Sequence, residues 1–286
     1  MYDVAIIGTG PAGLSAALNM KIHQKNFIWI GTKNLSEKVE KAEQILNYPG
    51  LSATSGEELL SAYQKQIEDM GIEITESMVN SIMPLSGHYA IMAGSEFYEA
   101  QSIILATGMT NVASMKGESD LIGKGLSYCA TCDGMLFREK TIAIVCNSKR
   151  FEHEIKYLAE IAKKVYLFPT YKDCSIDLPN VEKISAIDEI CGDKRVSAIK
   201  LKSGENIDVD GVFVLRSAIA MKTLLPGLTI EDNHIQVNRK METNMPGCFA
   251  AGDSTGRPYQ YTKSVGEGNV AAHTLLEYLD SLEEVG

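Results

Sequence analysis

The chain has 286 residues, of which 45% are hydrophobic and 22% are charged, with 27 basic against 37 acidic side chains. This length predicts two domains of common size, and the composition argues against a disordered chain. The formal net charge of −10 disfavours polyanionic partners, so we expect neither nucleic acid nor an anionic membrane surface as a ligand.

The N-terminus and the cysteine content bear on where the protein resides. The opening apolar run is six residues at most and lacks a basic start, so it predicts a buried strand and not a signal peptide. No stretch reaches the roughly 18 apolar residues of a membrane span. Six cysteines are too sparse for a secreted disulfide scaffold of this length. We therefore expect a cytoplasmic protein.

Strand and helix patterns occur in chain order as two similar series. The first comprises strands at 3–7, 27–30 and 102–106 with helices at 14–22 and 57–70. The second comprises strands at 141–145, 165–168, 196–202 and 211–215 with a helix at 152–162. A last strand at 247–253 precedes a helix at 268–279. This order predicts an α/β fold of two doubly wound, Rossmann-like domains, one at 1–112 and 221–286 and the other inserted at 113–220.

A glycine-rich turn joins the first strand to the first helix. Gly8, Gly10 and Gly13 fit the G-x-G-x-x-G pattern, with Pro11 and Ala12 between the last two glycines. In this pattern the glycines permit a tight turn, a close approach to a pyrophosphate, and close packing of helix on strand. We therefore predict a dinucleotide here. The acidic residue expected about 20 residues later is missing, because positions 31–33 read Gly-Thr-Lys.

Two further turns follow predicted strands of the same domain. Gly252 and Asp253 end one strand, where the carboxylate could accept a hydrogen bond from a ribitol hydroxyl. Thr107 and Gly108 end another. Together these positions favour FAD over a nicotinamide in this domain, although Asp253 alone could be an ordinary acidic residue of a surface turn.

Cys129 and Cys132 are separated by two residues and followed by Asp133. Such a pair can close a small disulfide ring, supply half of a zinc site, or be structural. A zinc site needs two more ligands, and the chain has no second pair of this kind, so we expect no metal and favour redox use. Asp133 could then move a proton during disulfide opening, although a helix N-cap role is compatible with the same position.

Five segments in order, GTGPAGLSAA, NYPG, ATG, CATCDG and AAGDSTGRPYQYTKSVGEGNVAA, resemble the low-molecular-weight thioredoxin reductase family over nearly the whole chain. The resemblance implies a homodimer with FAD in one domain and the cysteine pair in the inserted one. It also implies that Cys132 faces the flavin, that Cys129 attacks the disulfide of thioredoxin, and that Asp133 exchanges the proton.

The same resemblance adds residues near the flavin. Asn47 lies in the NYPG turn, and Tyr259, Gln260 and Tyr261 lie in the segment that approaches the isoalloxazine of this or the other subunit. The two tyrosines could shield the ring system, or they could simply belong to an exposed loop.

The inserted domain departs from NADPH-dependent relatives at two places. The second glycine fingerprint is replaced by Cys146-Asn147-Ser148-Lys149-Arg150-Phe151, and the arginine pair that clamps a 2′-phosphate is replaced by Pro169-Thr170-Tyr171. Side chains at Cys146 and Ser148 would crowd a pyrophosphate, and Phe151 stands where close packing of helix on strand requires a residue of minimal size. We therefore expect no working nicotinamide site.

A flavin and a disulfide without a hydride donor need another source of electrons. This combination resembles the ferredoxin-dependent flavin thioredoxin reductases, which implies ferredoxin as electron donor and thioredoxin as acceptor. Three alternatives remain open at this point. They are an NADPH-dependent thioredoxin reductase with an atypical site, a diflavin-linked disulfide oxidoreductase, and a non-catalytic flavin redox sensor.

Overall fold

The computed structural model describes residues 1–109, 115–184, 187–216 and 221–283. Its contacts divide the chain into two compact units, Met1–Thr110 with Leu224–Gly286, and Asn111–Thr223. The predicted domain crossings at 112–113 and at 220 lie outside the described residues. Each unit contains a parallel sheet with helices, which confirms the predicted α/β fold class.

The described elements follow one another along the chain in three groups. The first group is β1 (Tyr2–Ile7), α1 (Pro11–Ile22), β2 (Phe27–Gly31), α2 (Glu37–Glu40), α3 (Gly56–Asp69), β3 (Thr75–Glu76), β4 (Val79–Leu85), β5 (His88–Ala93) and β6 (Glu96–Leu105). The second is α4 (Glu118–Leu121), β7 (Leu126–Ser127), α5 (Ala130–Asp133), β8 (Thr141–Cys146), α6 (Glu152–Ile161), β9 (Lys164–Pro169), β10 (Val181–Lys183), β11 (Ile187–Gly192), β12 (Val196–Leu201), β13 (Asn206–Asp208) and β14 (Gly211–Leu215). The third is α7 (Met221–Leu224), β15 (Ile230–Glu231), β16 (His234–Ile235), β17 (Cys248–Ala250) and α8 (Tyr261–Glu283). Short 3-10 turns lie at Gly134–Phe137, Lys149–Phe151 and Gly252–Thr255.

The sheet of the first unit is parallel in the order β3-β2-β1-β6, with β17 on the far side of β6. Its central strands are apolar on both faces, and Ile6 and Ile104 are fully buried. Because β2 lies on one side of β1 and β6 on the other, the connections diverge at the carboxyl end of β1. This is the place where doubly wound sheets bind their ligands.

A three-stranded antiparallel meander, β4-β5-β6, extends this sheet through the first half of β6. The strand predicted at 102–106 covers only the second half of β6, and the sequence pattern did not predict β4 or β5. Gly87 and Gly94 lie in the two turns of this meander, and both have positive φ in the structure. A glycine between two apolar segments is a sequence signal for such a turn, and it could have been used here.

Helix α8 begins at Tyr261, seven residues before the predicted start at 268. Gly266 and Gly268 read as helix breakers in the sequence, but Gly268 serves packing. A Cβ on Gly268 would lie 2.2 Å from the carbonyl oxygen of Ala12, so only glycine lets α8 pack this closely on α1.

The second unit has a five-stranded parallel sheet in the order β10-β9-β8-β14-β7. Strands β11, β12 and β13 form a separate antiparallel sheet. A buried core beneath the parallel sheet includes Phe151, Ile155 and Phe213. The predicted elements of this unit match the observed bounds within about one residue. No helix among the described residues is long and apolar enough to cross a membrane.

The packing of α8 on α1 yields a stability prediction with an internal control. Gly268→Ala should lower the free energy of unfolding by about 1–3 kcal/mol, because the new methyl group overpacks a backbone contact. Gly266→Ala should be neutral or raise it by up to about 1 kcal/mol, since its Cβ meets nothing within 4 Å and alanine favours helix. Denaturant unfolding followed by circular dichroism measures both. Equal effects of the two substitutions would contradict this packing account.

Candidate functional site

The turn between β1 and α1 is built by its glycines. Gly8 has a φ of +108°, and a Cβ there would lie 2.3 Å from the carbonyl oxygen of Ala106. A Cβ on Gly13 would lie 1.9 Å from the carbonyl oxygen of Gly8. Gly10 differs, because its Cβ would meet nothing within 4 Å. The chain therefore needs two of the glycines for its own packing and leaves open space in front of the third.

This open space fits a pyrophosphate. Gly10 is the N-cap of α1 and provides no side-chain cap, and Pro11 begins the helix. The first backbone N–H groups of α1 thus lack a side-chain acceptor at the positive end of the helix dipole. An anion placed there would take up those hydrogen bonds without a steric conflict at Gly10.

The predicted residues at the ends of β6 and β17 lie on the same edge of this sheet. Ala251 donates its backbone N–H to the carbonyl oxygen of Leu105 at 3.0 Å, which places the turn of Gly252 and Asp253 beside the end of β6, where Thr107 and Gly108 follow. Gly252 has a φ of +88°. The Asp253 carboxylate is partly buried and pairs with Nζ of Lys38 at 3.3 Å. This turn therefore presents one carboxylate, already paired with an ammonium group, at the carboxyl edge of the sheet.

The remaining predicted flavin residues are drawn together by side-chain contacts within the first unit. Asn47 Nδ2 donates to Gln260 Oε1 at 2.7 Å, and the Tyr261 hydroxyl donates to the carbonyl oxygen of Lys38 at 3.2 Å. Tyr259 is partly exposed and its hydroxyl lies 2.7 Å from Nε2 of His234. Asn47, Gln260 and Tyr261 thus converge near α2, whereas Tyr259 is held by a different neighbour.

Sequence reasoning missed the residues that support the Asp253 turn. Lys263 and Glu267 form an i,i+4 ion pair of 3.0 Å on α8. Lys263 donates to the carbonyl oxygen of Gly252 at 2.8 Å, and Glu267 accepts the Gly252 N–H at 2.9 Å. The sequence signal for this ion pair was the Lys-x-x-x-Glu spacing, which brings two side chains together on a helix. It was missed because the predicted helix began at 268, after both residues.

The predicted redox pair is a disulfide in the second unit. Cys129 and Cys132 have sulfurs 1.99 Å apart and Cα atoms 5.3 Å apart. Cys129 follows β7 and is the N-cap of the short helix α5, where its Sγ accepts the N–H of Cys132 at 3.2 Å. Cys129 is only 8% exposed, whereas Cys132 is partly exposed. Attack by Cys129 on a partner therefore requires that it become accessible once the disulfide opens.

Asp133 is the last residue of α5 and is partly buried. Within the described part of the chain, its carboxylate forms no ion pair or side-chain hydrogen bond. It does not cap α5, since that role belongs to Cys129, and at the N-cap position of the following 3-10 turn, Gly134–Phe137, its side chain makes no capping hydrogen bond. The next two side chains, Met135 and Leu136, are 55% and 66% exposed, so an apolar surface adjoins the disulfide in sequence.

The β8–α6 turn, which corresponds to a second nucleotide fingerprint, is filled by the chain itself. No residue from 146 to 151 has a positive φ, and Phe151 is buried in the core of the unit. Glu152, the first residue of α6, is also buried. Its carboxylate accepts hydrogen bonds from the Ser175 backbone N–H and from the Tyr171 hydroxyl, each at 2.9 Å, and from the Ser175 hydroxyl.

These hydrogen bonds have an electrostatic consequence. The bonds from Ser175, with smaller contributions from Tyr171 and the charge of Lys149, lower the pKa of Glu152 to about 2. A permanent anion therefore occupies the start of α6, the end at which a helix dipole attracts phosphate. Thr170 donates its hydroxyl to the carbonyl oxygen of Cys146 at 3.2 Å, so neither Thr170 nor Tyr171 is available to clamp a ligand.

Known proteins resemble this chain along its whole length. The sequence profile of the pyridine nucleotide-disulphide oxidoreductase family matches residues 2–148 and 180–268. The thioredoxin reductase of Listeria innocua is 31% identical over 305 aligned positions, which cover 99% of this chain and 96% of that protein. Two crystal structures of ferredoxin-flavin thioredoxin reductase from Clostridium acetobutylicum are 47% and 42% identical in sequence to this chain, with TM-scores of 0.81 and 0.84. They cover 98% and 99% of this chain, and 98% of each of those chains is covered.

Three of the four other cysteines yield a chemical prediction. Burial raises the pKa of Cys146 to about 11 and that of Cys248 to about 12. At pH 8 both thiols should stay protonated, and iodoacetamide should label them at least about tenfold more slowly than the partly exposed Cys174. Their labelling should accelerate as the pH approaches these values. Mass spectrometry of timed digests measures the rates, and equal labelling of all three cysteines would contradict the prediction.

Proposed function

The chain belongs to the pyridine nucleotide-disulphide oxidoreductase family, and we propose that within it the protein is a ferredoxin-dependent flavin thioredoxin reductase. Electrons pass from reduced ferredoxin to FAD in the first unit, then to the Cys129–Cys132 disulfide, and finally to thioredoxin. The enzyme works as a homodimer in the cytoplasm. The predicted resemblance to thioredoxin reductases and the assignment as an oxidoreductase are confirmed by the relatives.

One observation carries the independence from NADPH. Glu152 is the first residue of α6, so a pyrophosphate approaching this helix start would face a negative charge, and two anions at one helix start repel each other. The family profile leaves out residues 149–179, which contain the end of this turn, α6, β9 and the loop that covers Glu152.

The residues of the first unit fit FAD. The N–H groups at the start of α1 would hold the pyrophosphate, and Asp253 would accept a hydrogen bond from a ribitol hydroxyl after exchanging its contact with Lys38. When bound, FAD supplies a centre that accepts single electrons and delivers them in pairs.

The disulfide then carries the two electrons. Its reduction breaks the S–S bond, consumes two electrons and two protons, and yields two thiols. Attack of one thiolate on the thioredoxin disulfide, followed by attack of the second, reforms the Cys129–Cys132 bond and releases reduced thioredoxin. Asp133, which is free of side-chain partners in the described structure, exchanges the protons that these steps release and consume.

A protein acceptor is favoured by the exposed side chains of Met135 and Leu136. Apolar groups beside a reactive disulfide give a protein partner an area to bury, which a small disulfide would not use. A flavin redox sensor would not need such a surface next to its cysteines, so this feature favours the reductase over the sensor.

The FAD proposal is tested at Gly10. Gly10→Val should fold normally, because its Cβ meets nothing and its backbone is extended, but it should lose FAD because the new side chain fills the phosphate space. The wild-type protein should purify yellow. Gly13→Val, whose Cβ would clash at 1.9 Å, should instead destabilise the fold. If folded Gly10→Val retained stoichiometric FAD, the proposal that the pyrophosphate binds in front of Gly10 would be wrong.

The role of the cysteine pair is tested by single replacements. Cys132→Ser should block electron transfer from flavin to disulfide, and Cys129→Ser should leave the flavin reducible, while both should reduce thioredoxin turnover to background. Cys191→Ser, a partly exposed cysteine of the same unit, should retain normal turnover. Full thioredoxin turnover in Cys129→Ser or Cys132→Ser would show that the disulfide takes no part in the reaction.

Steady-state turnover with alternative donors tests the whole proposal. Thioredoxin reduction is followed by insulin precipitation, with either a ferredoxin-reducing system or NADPH as the sole donor. We expect turnover with reduced ferredoxin and background with NADPH. Turnover with NADPH alone would identify an NADPH-dependent enzyme, and turnover with neither donor would favour a sensor.

A further inference from the structure

The turn that presents Asp253 begins and ends at a glycine of positive φ. Gly252 has a φ of +88° and Gly256 a φ of +128°. Glycine restricts its own backbone less than any other residue, so the two ends of this turn have little conformational preference of their own. The conformation of residues 252–256 therefore depends on contacts with other elements of the first unit.

Lys263 of α8 supplies the first of these contacts. Its Nζ donates to the carbonyl oxygens of Gly252 at 2.8 Å and of Gly256 at 2.7 Å, so one ammonium group joins the two ends of the turn. Nζ also lies 3.0 Å from the Thr255 hydroxyl oxygen and 3.0 Å from a carboxylate oxygen of Glu267. Four protein oxygens thus share the three N–H donors of an ammonium group that is largely removed from water.

Glu267 holds the same turn through the backbone N–H of Gly252. Its Oε2 accepts this N–H at 2.9 Å and lies 2.8 Å from the Thr255 hydroxyl oxygen. An exposed i,i+4 ion pair contributes little to stability, but the side chains of Lys263 and Glu267 are only 18% and 20% exposed and are directed at the turn. The ion pair therefore restrains one specific turn as well as the helix that carries it.

This turn adjoins the start of α1. A Cβ on Gly252 would lie 3.0 Å from the Cβ of Ala12, the second residue of that helix. Asp253 directly follows Gly252, and 18% of its side chain is exposed. The ion pair of α8 thereby fixes the position of the Asp253 carboxylate relative to the first N–H groups of α1.

FAD would have to meet both places at once. In the proposed function its pyrophosphate binds at the start of α1, and a ribitol hydroxyl donates to Asp253. We propose that Lys263 and Glu267 are positioning residues that hold the 252–256 turn in the conformation that binds the ribitol part of FAD. A turn that is already ordered loses little conformational entropy when the cofactor binds, and this raises the affinity. The role rests on the proposed binding of FAD at Asp253.

Loss of the ion pair should affect the two parts of the cofactor differently. ADP carries a pyrophosphate that can bind at α1, but it has no ribitol to reach Asp253. Lys263→Met keeps the aliphatic stem and removes the ammonium group. The dissociation constant of FAD should rise about tenfold, the effect of leaving roughly one more backbone residue to be ordered on binding. The dissociation constant of ADP should change by less than about twofold, because its contacts lie outside the turn.

Ultrafiltration of the full-length holoprotein measures both constants. The protein is diluted, free FAD in the filtrate is quantified by its absorbance, and ADP is then added until it displaces the bound FAD. Lys65→Met is the matched control, because Lys65 forms an i,i+4 ion pair of 2.9 Å with Asp69 on α3 of the same unit. It should leave both dissociation constants unchanged. Circular dichroism establishes that each variant is folded.

Further variants show whether Lys263 acts through Asp253. Asp253→Ala should weaken the binding of FAD but not of ADP. Adding Lys263→Met to it should raise the FAD dissociation constant by no more than about a further twofold, since both substitutions remove one contact. Glu267→Gln keeps the side-chain volume and an acceptor oxygen, and it should weaken FAD binding roughly threefold, because a neutral amide accepts a weaker hydrogen bond than a carboxylate. This variant decides the matter if Lys263→Met does not fold.

Two results would overturn the proposal. One is an FAD affinity of the folded ion-pair variants equal to that of the wild type. The other is a parallel loss of FAD and ADP affinity, which would show a general loss of structure at the start of α1. Failure of the FAD proposal is recognised separately, since the wild-type protein would then carry no FAD before any substitution is made, and the role of Lys263 would fall with it.

Discussion

The carboxylate of Glu152 at the start of α6 is the interaction on which the functional account depends. A helix start in a parallel sheet is an anion site, and here the chain supplies the anion from its own first helical residue. Hydrogen bonds from Ser175 and Tyr171 keep that group ionised, with a pKa of about 2, across the whole physiological range. A pyrophosphate at this helix start would therefore meet a fixed negative charge instead of the favourable charge that the start of α1 offers.

The first unit shows what the same architecture looks like when it remains open. There the turn begins at a glycine of positive φ, the helix has no side-chain cap, and a Cβ on Gly10 would enter empty space. The two turns differ in side-chain volume, because Gly8, Gly10 and Gly13 of the first stand at the positions that Cys146, Ser148 and Phe151 occupy in the second. The sheet edge at the start of α1 has room for a ligand, whereas the edge at the start of α6 is filled by the chain's own side chains.

Much of this arrangement could be predicted from the sequence, because glycine fingerprints and buried strands are local signals. The absence of glycine at 146–148 predicted a lost nucleotide site, but not what had replaced it. The hydrogen-bond partners of Glu152, Tyr171 and Ser175, lie 19 and 23 residues further along the chain. Contacts at this separation leave no periodic pattern in the sequence. The buried ion pair of Glu118 and Arg216, which are 98 residues apart, could not be predicted for the same reason. Helix α8 was misplaced because a glycine required by tertiary packing looks like a glycine that ends a helix.

The most direct test of the central claim is an anaerobic stopped-flow measurement of the bound flavin. The oxidised holoprotein is mixed with excess NADPH and, separately, with reduced ferredoxin, and the visible flavin absorbance is recorded with time. The account predicts rapid bleaching by ferredoxin and a flavin that stays oxidised with NADPH. Rapid bleaching by NADPH would contradict it, because it would show that a nicotinamide reaches the flavin despite the anion at Glu152.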